Sequence, residues 1–193
     1  MTTISNNTYF VPVPHYEKIS APPESKESIQ KVALGILTVI PLPAISMYIS
    51  GKIYEIFTKF KIEVTSTQDV YQIWDSLGGV YPNFLSLALK TAFLGFVVII
   101  GPVWEEFLFR ECLFIDFDGP LGKMISITGN GFIFGLYHLS PFQGWANIPI
   151  FFATFALGVI FAAQRSATGD ITASATTHIL YNGFCMYKLL TGV

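Results

Sequence analysis

Charge is what this sequence has least of. Only 12% of its 193 residues are Asp, Glu, Lys or Arg, while 52% are hydrophobic and the mean hydropathy is +0.54. Ordinary soluble domains carry about 25% charged residues. So few charges point to an outer face that meets lipid, where a crossing helix needs about 20 mostly apolar residues. The formal net charge is -2, and no cluster of Lys or Arg supplies a local basic footprint, so nucleic acid is not expected as a partner. Cysteine is nearly absent. Cys112 and Cys185 lie far apart with no CxxC spacing, which excludes a disulfide framework and a thiolate metal motif. Both are expected to be buried small hydrophobes. The first thirty residues lack the basic start, short apolar core and small-residue cleavage site of a signal peptide. With Met-Thr at the start and Leu-Thr-Gly-Val at the end, neither N-myristoylation nor prenylation is expected. No repeat or low-complexity run is present.

What is there is a succession of apolar, helix-length segments. Residues 1–30 hold Pro12, Pro14, Pro22 and Pro23 among polar residues and read as a mobile tail before a single domain at 31–193. Val32 to Ser50 is the first candidate span, with a kink expected at Pro41 and Pro43. Gly51 to Tyr81 mixes lysines and acids with Phe57, Phe60, Tyr71 and Trp74, which suits an amphipathic segment at the membrane surface or a solvated connector. Phe84 to about Phe117 is the second helix, interrupted by Gly101-Pro102. After the turn Asp118-Gly119-Pro120, Leu121 to Leu139, Asn147 to Gln164 and Ile171 to Leu190 complete the set. The expected fold class is all-α: a polytopic transmembrane bundle of about five helices.

Glu105 and Glu106 stand inside the second of these helices, with Arg110 one turn on. A charge near the centre of a bilayer costs roughly 2.5–3.5 kcal/mol on insertion scales, so paired carboxylates there mark a functional site by default. Residues four apart share a helix face, so Glu106 is expected to pair with Arg110, leaving Glu105, about 100° away, for proton transfer. His138 and His178 also lie in apolar helices, and Asn182 follows His178 by one turn. At about 1.5 Å rise per residue, Glu105, His138 and His178 lie roughly 20, 26 and 12 Å from the side holding Asp118 and Asp170. Convergence then requires tilt, a kink at Pro102 or a protruding turn at Asp118-Gly119-Pro120.

Three motifs, Glu105-Glu106-Phe-Leu-Phe-Arg110, Phe134-Gly-Leu-Tyr-His138 and His178-Ile-Leu-Tyr-Asn182, together resemble the CPBP family of intramembrane proteases. That family includes type II CAAX prenyl endopeptidases and bacteriocin-processing and self-immunity proteins, and its motifs are EExxxR, FxxxH and HxxxN. Gly158, Arg165, Thr168, Gly169 and Asp170 look like its small-residue helix and Arg-Thr-Gly connection. The resemblance spans about residues 84–187. It implies an endopeptidase with its site in a cavity open to one membrane face. Carried over, Glu105 and His138 would activate the attacking water, His178 and Asn182 would stabilise the oxyanion, and Glu106 and Arg110 would support the site. The N-terminal portion carries no motif, and fewer helices precede the site than in the eukaryotic prenyl-protein proteases.

The chemistry is self-consistent, because a carboxylate and an imidazole sharing a water make a general base and amide or imidazole donors can face the developing charge. The expected partners are a membrane-anchored or lipidated substrate and the bilayer, here the plasma membrane of a prokaryote, with the N-terminus leaning cytoplasmic. No cofactor is expected. The competing reading is a zinc site on Glu105, His138 and His178, although no HExxH is present. A non-catalytic immunity or scaffold protein could use the same cavity for binding, and a proton-coupled transporter ranks below both for want of an inverted repeat. Solvation of the acidic pair at a helix end is disfavoured by the apolar run Phe107-Leu108-Phe109 that follows it.

Overall fold

The computed structural model describes residues 25–60, 69–79, 83–141 and 143–191. Among them are seven helices and no strand: α1 (Ser25–Val39), α2 (Leu42–Lys59), α3 (Asp69–Gly79), α4 (Asn83–Cys112), α5 (Gly119–Tyr137), α6 (Asn147–Thr168) and α7 (Thr172–Thr191). The all-α helical membrane bundle expected from sequence is the fold observed. The described residues hold seven helices where the sequence suggested about five membrane spans, and two differences account for the additional elements. Pro41 ends one helix and starts another rather than kinking a single span, because α1 packs on α7 while α2 packs on α6. The connector also contains a helix of its own, α3, which lies against α4 through Ser86 Oγ donating to Leu77 O at 2.7 Å. Helix α1 begins inside the segment expected to be tail; residues 1–24 of that tail lie outside the described residues.

Among the described residues two helices, α4 and the segment Gly144–Thr168, are long and apolar enough to cross a membrane. Their outward faces are apolar too: Phe84, Leu87, Ile100 and Trp104 on α4 and Trp145 and Phe152 on the second are exposed. Cys112 and Cys185 are likewise exposed, against the expectation of burial. In a bilayer an apolar neighbourhood lies outside the bundle as well as within it, so hydrophobic surroundings do not imply a core position.

Close packing, with little help from water exclusion, then holds the helices together. Helices α5 and α6 meet at Gly131 and Gly158. A Cβ on Gly131 would stand 2.6 Å from Val159 Cγ2 and 2.7 Å from Val159 N, and one on Gly158 would stand 3.0 Å from Gly131 Cα. Around this crossing lies the core of Leu42, Phe109, Phe134, Leu157 and Phe161. Helix α6 ends on Gly169, whose φ of +80° allows its N–H to cap Arg165 O at 3.0 Å before α7 begins.

The height mismatch between the expected site residues resolves in the segment after α4. This helix stops at Cys112, five residues short of the expected end, so Glu105 lies about 10 Å from its end and His178 about 9 Å from the start of α7. His138 caps the far end of α5, roughly 28 Å from its start. Residues 113–118 are non-helical and run beside the first turns of α5, where Phe117 N donates to Ser126 Oγ at 2.9 Å. Six extended residues can span about 20 Å, which covers the difference.

Candidate active site

Helix α4 delivers its polar residues through two wide turns. Phe96–Ile100 and Phe107–Cys112 are π-helical, and the short α-helical stretch Gly101–Glu106 lies between them. The cause of the first is Pro102, which has no N–H and whose ring crowds the carbonyl one turn earlier. A wider turn relieves the clash, and Gly101 N reaches back to Phe96 O instead. The kink expected at Gly101-Pro102 is therefore a π-bulge.

Glu106 and Arg110 are both fully buried and pair at 3.3 Å, Nη1 to Oε1. Arg110 Nη2 also donates to Gly158 O at 3.1 Å. Its guanidinium carbon lies 4.4 Å from the centroid of Phe134 and 5.3 Å from that of Phe161. Carboxylate, carbonyl and aromatic faces together offset the desolvation of a buried cation. On the other side of Glu106, His178 Nδ1 lies 3.0 Å from Oε1. The His178 ring stacks on Phe161 at 4.8 Å between centroids, which fixes its plane. Burial and partners thus connect Glu106 both to Arg110 on its own helix and to His178 on α7.

Glu105 lies beside this chain at the open edge, with 20% of its side chain exposed. Its Oε2 is 3.8 Å from His138 Nε2 and 3.8 Å from His178 Nε2, so three helices converge on one carboxylate oxygen. That gap is too long for a direct hydrogen bond, but a water beside it can reach both ends at about 2.8 Å. The other ring nitrogens assign the tautomers. His138 Nδ1 lies 2.8 Å from Phe134 O, and a carbonyl can only accept, so Nδ1 carries the hydrogen and the Nε2 lone pair faces Glu105. By the same reasoning His178 Nδ1–H donates to the Glu106 carboxylate.

Five of the six residues singled out from sequence therefore meet: Glu105, Glu106, Arg110, His138 and His178. The sixth, Asn182, donates from Nδ2 to Val97 O at 3.0 Å, one of the carbonyls in the first π-turn. An Nδ2 amide has two hydrogens, and Val97 takes one. Glu106 and Arg110 being fully buried disposes of the solvated-helix-end alternative. As for zinc, no group of three or more His, Cys, Asp or Glu among the described residues is gathered so as to hold a metal ion.

Other supporting residues carried no signal of their own in the sequence. Asn130 on α5 donates to Phe109 O at 2.6 Å in a buried position. Arg165, noted only through the resemblance, donates from Nε to Arg110 O at 3.1 Å and approaches Glu111 Oε1 at 3.3 Å, tying the end of α6 to the second π-turn. A cluster of Thr38, Gln164 and Thr177 lies behind His178. Buried amides and hydroxyls in otherwise apolar helices would have been the pointer, since each needs a partner when removed from water.

Residues 87–184, just over half of the chain, match the family described as Type II CAAX prenyl endopeptidase Rce1-like. A curated relative, the membrane-embedded CAAX protease MroQ of Staphylococcus aureus (strain USA300), is 34% identical over 105 residues, covering 51% of this chain and 40% of the relative. The chain thus spans well under half the length of that relative. No solved structure matches.

Proposed function

The chain belongs to the type II CAAX prenyl endopeptidase Rce1-like family, within the CPBP group, and on that footing we propose that it is an intramembrane endopeptidase. It hydrolyses a peptide bond in a membrane-anchored or lipidated peptide or protein, at the plasma membrane of a prokaryote. The observation that carries this reading is the double approach of His138 Nε2 and His178 Nε2 to Glu105 Oε2, each at 3.8 Å.

A water held between Glu105 and His138 donates its hydrogens to two acceptors and points a lone pair at the scissile carbonyl. Glu105 takes the proton as the water oxygen bonds to the carbonyl carbon. The negative charge that develops on the carbonyl oxygen meets the second amide hydrogen of Asn182 and the Nε2 edge of His178. For His178 to donate there it must hold hydrogens on both ring nitrogens, with Nδ1–H on the Glu106 carboxylate at 3.0 Å. Glu105 then returns its proton to the leaving amine as the C–N bond breaks. Glu106 and Arg110 touch no reacting atom and position His178.

The test uses the purified chain in lipid vesicles with membrane-anchored reporter peptides, lipidated and unlipidated. The chain is expected to cleave, and Glu105→Gln to abolish cleavage while peptide binding persists. A Glu105→Gln protein as active as the parent overturns the reading. A chain that binds or protects without cleaving any reporter replaces it with the immunity or scaffold role. Chelation is expected to leave the rate unchanged; loss with rescue by zinc would reinstate the metal mechanism.

A further inference from the structure

Helix α1 lies outside the family-matched stretch 87–184, yet it is fastened to α7 along one face. Lys31, Gly35 and Thr38 follow the i, i+4, i+7 spacing that puts residues on one stripe of a helix. Lys31 Nζ bonds Asp170 Oδ2 in the turn before α7. Gly35 lets the backbones approach: a Cβ there would stand 2.7 Å from both Ala173 O and Thr176 Cβ. Thr38 Oγ1 lies 3.0 Å from Thr177 Oγ1, and Gln164 Nε2 on α6 donates to both hydroxyls, reaching Thr177 at 2.8 Å. Every hydrogen in the cluster has an acceptor, while Gln164 Oε1 is buried without a partner. Carbonyls lie within reach of both hydroxyl hydrogens, Leu34 O for Thr38 at 2.8 Å and Ala173 O for Thr177 at 2.9 Å, which leaves both oxygens free to accept the two hydrogens of one amide.

Thr177 is the residue before His178. We infer that Thr38, Gln164 and Thr177 are positioning residues that set the rotation of α7, and with it the placement of His178 between Glu106 and Glu105. A side chain extends about 6 Å from its helix axis, so a rotation of about 10° moves its tip by roughly 1 Å. An error of 1 Å made far from the chemistry can lower a rate by about 100-fold. The stripe on α1 and the amide on α6 hold α7 from two directions, whereas an apolar contact alone would allow it to turn. The inference rests on the proteolytic reading above.

Thr177→Val and Gln164→Leu keep shape and remove the hydrogen bonds. In the vesicle assay, kcat is expected to fall by about 10- to 100-fold with KM within about twofold, and Thr177→Ser to recover most of the loss. The second readout needs no substrate. The chain has three histidines, so the Nδ1–H resonance of His178 is assignable in 15N-histidine-labelled protein by single substitutions. It is expected to shift or broaden in Thr177→Val and return in Thr177→Ser. An active parent, an inactive Glu105→Gln and a Thr177→Val with parental kcat and resonance overturn the positioning role and leave the protease reading standing. A fully active Glu105→Gln overturns that reading instead, and the resonance alone then decides the positioning. If Thr177→Val fails to fold, Thr38→Ala removes the α1 hydroxyl without touching α7 and carries the same expectations, the parental resonance again overturning them.

Discussion

On the inner side of α4, Glu106, Arg110 and His178 form an ionic chain closed off by Phe134, Phe161 and the Gly158 carbonyl. One residue away, at the open edge, Glu105 and His138 keep 20% and 27% of their side chains exposed and hold no direct bond to each other. The same residue type therefore has two uses, set by which way a helical residue faces. Where opposite charges are buried together, charge fixes geometry. Where a carboxylate faces two imidazole edges across a gap, a reactant can enter.

The largest effect should come from the open edge. Glu105→Gln is expected to lower the rate by about 10³ to 10⁴, toward the upper end of what general acid–base groups contribute, with the melting temperature in detergent unchanged. A parallel loss of stability would erase the distinction between the two regions. The inner chain should respond the other way. Arg110→Leu leaves a buried carboxylate without its cation and is expected to destabilise by about 3–5 kcal/mol in thermal or denaturant unfolding. Replacing both partners, Glu106→Met with Arg110→Leu, should recover much of that stability but not activity, because His178 Nδ1 loses its acceptor.

Packing comes next. Gly131→Ala is expected to cost about 1–3 kcal/mol by pushing α5 from α6, with Gly129→Ala, whose added Cβ meets nothing within 4 Å, as the matched control. The smallest effect belongs to the α6–α7 turn. Partial burial raises the Asp170 carboxyl, but hydrogen bonds from Lys31 Nζ and Thr172 N outweigh it and leave the group below its ordinary value. A lowered carboxyl contributes stability above its ordinary titration range and loses it as pH falls through the folded value. Lys31→Met should therefore lower the neutral plateau slightly and flatten the acid limb, the two profiles converging as pH falls through the folded value.

Much of the membrane-facing design was legible from the chain, because a deficit of charge and long apolar runs are local properties. The Glu106–Arg110 pair was legible for the same reason. Pro41 was harder to read. Whether a proline kinks a helix or divides it depends on where the two halves find partners, and α1 and α2 find different ones. The exposure of Cys112 and Cys185 was invisible because a bilayer makes inside and outside equally apolar. Thr38, Gln164 and Thr177 show no spacing linking them in the chain, since their meeting is a product of three helix rotations.

By itself the sequence determined which polar groups stand in apolar helices and which of them share a face, since 3.6 residues per turn fixes that spacing within any one helix. The tertiary structure alone decided that Glu105 faces two Nε2 edges, that His178 turns its other nitrogen to Glu106, and that residues 113–118 bring His138 to the same level. Height and rotation between helices come from glycine contacts and non-helical connections, and these leave no periodic trace along the chain.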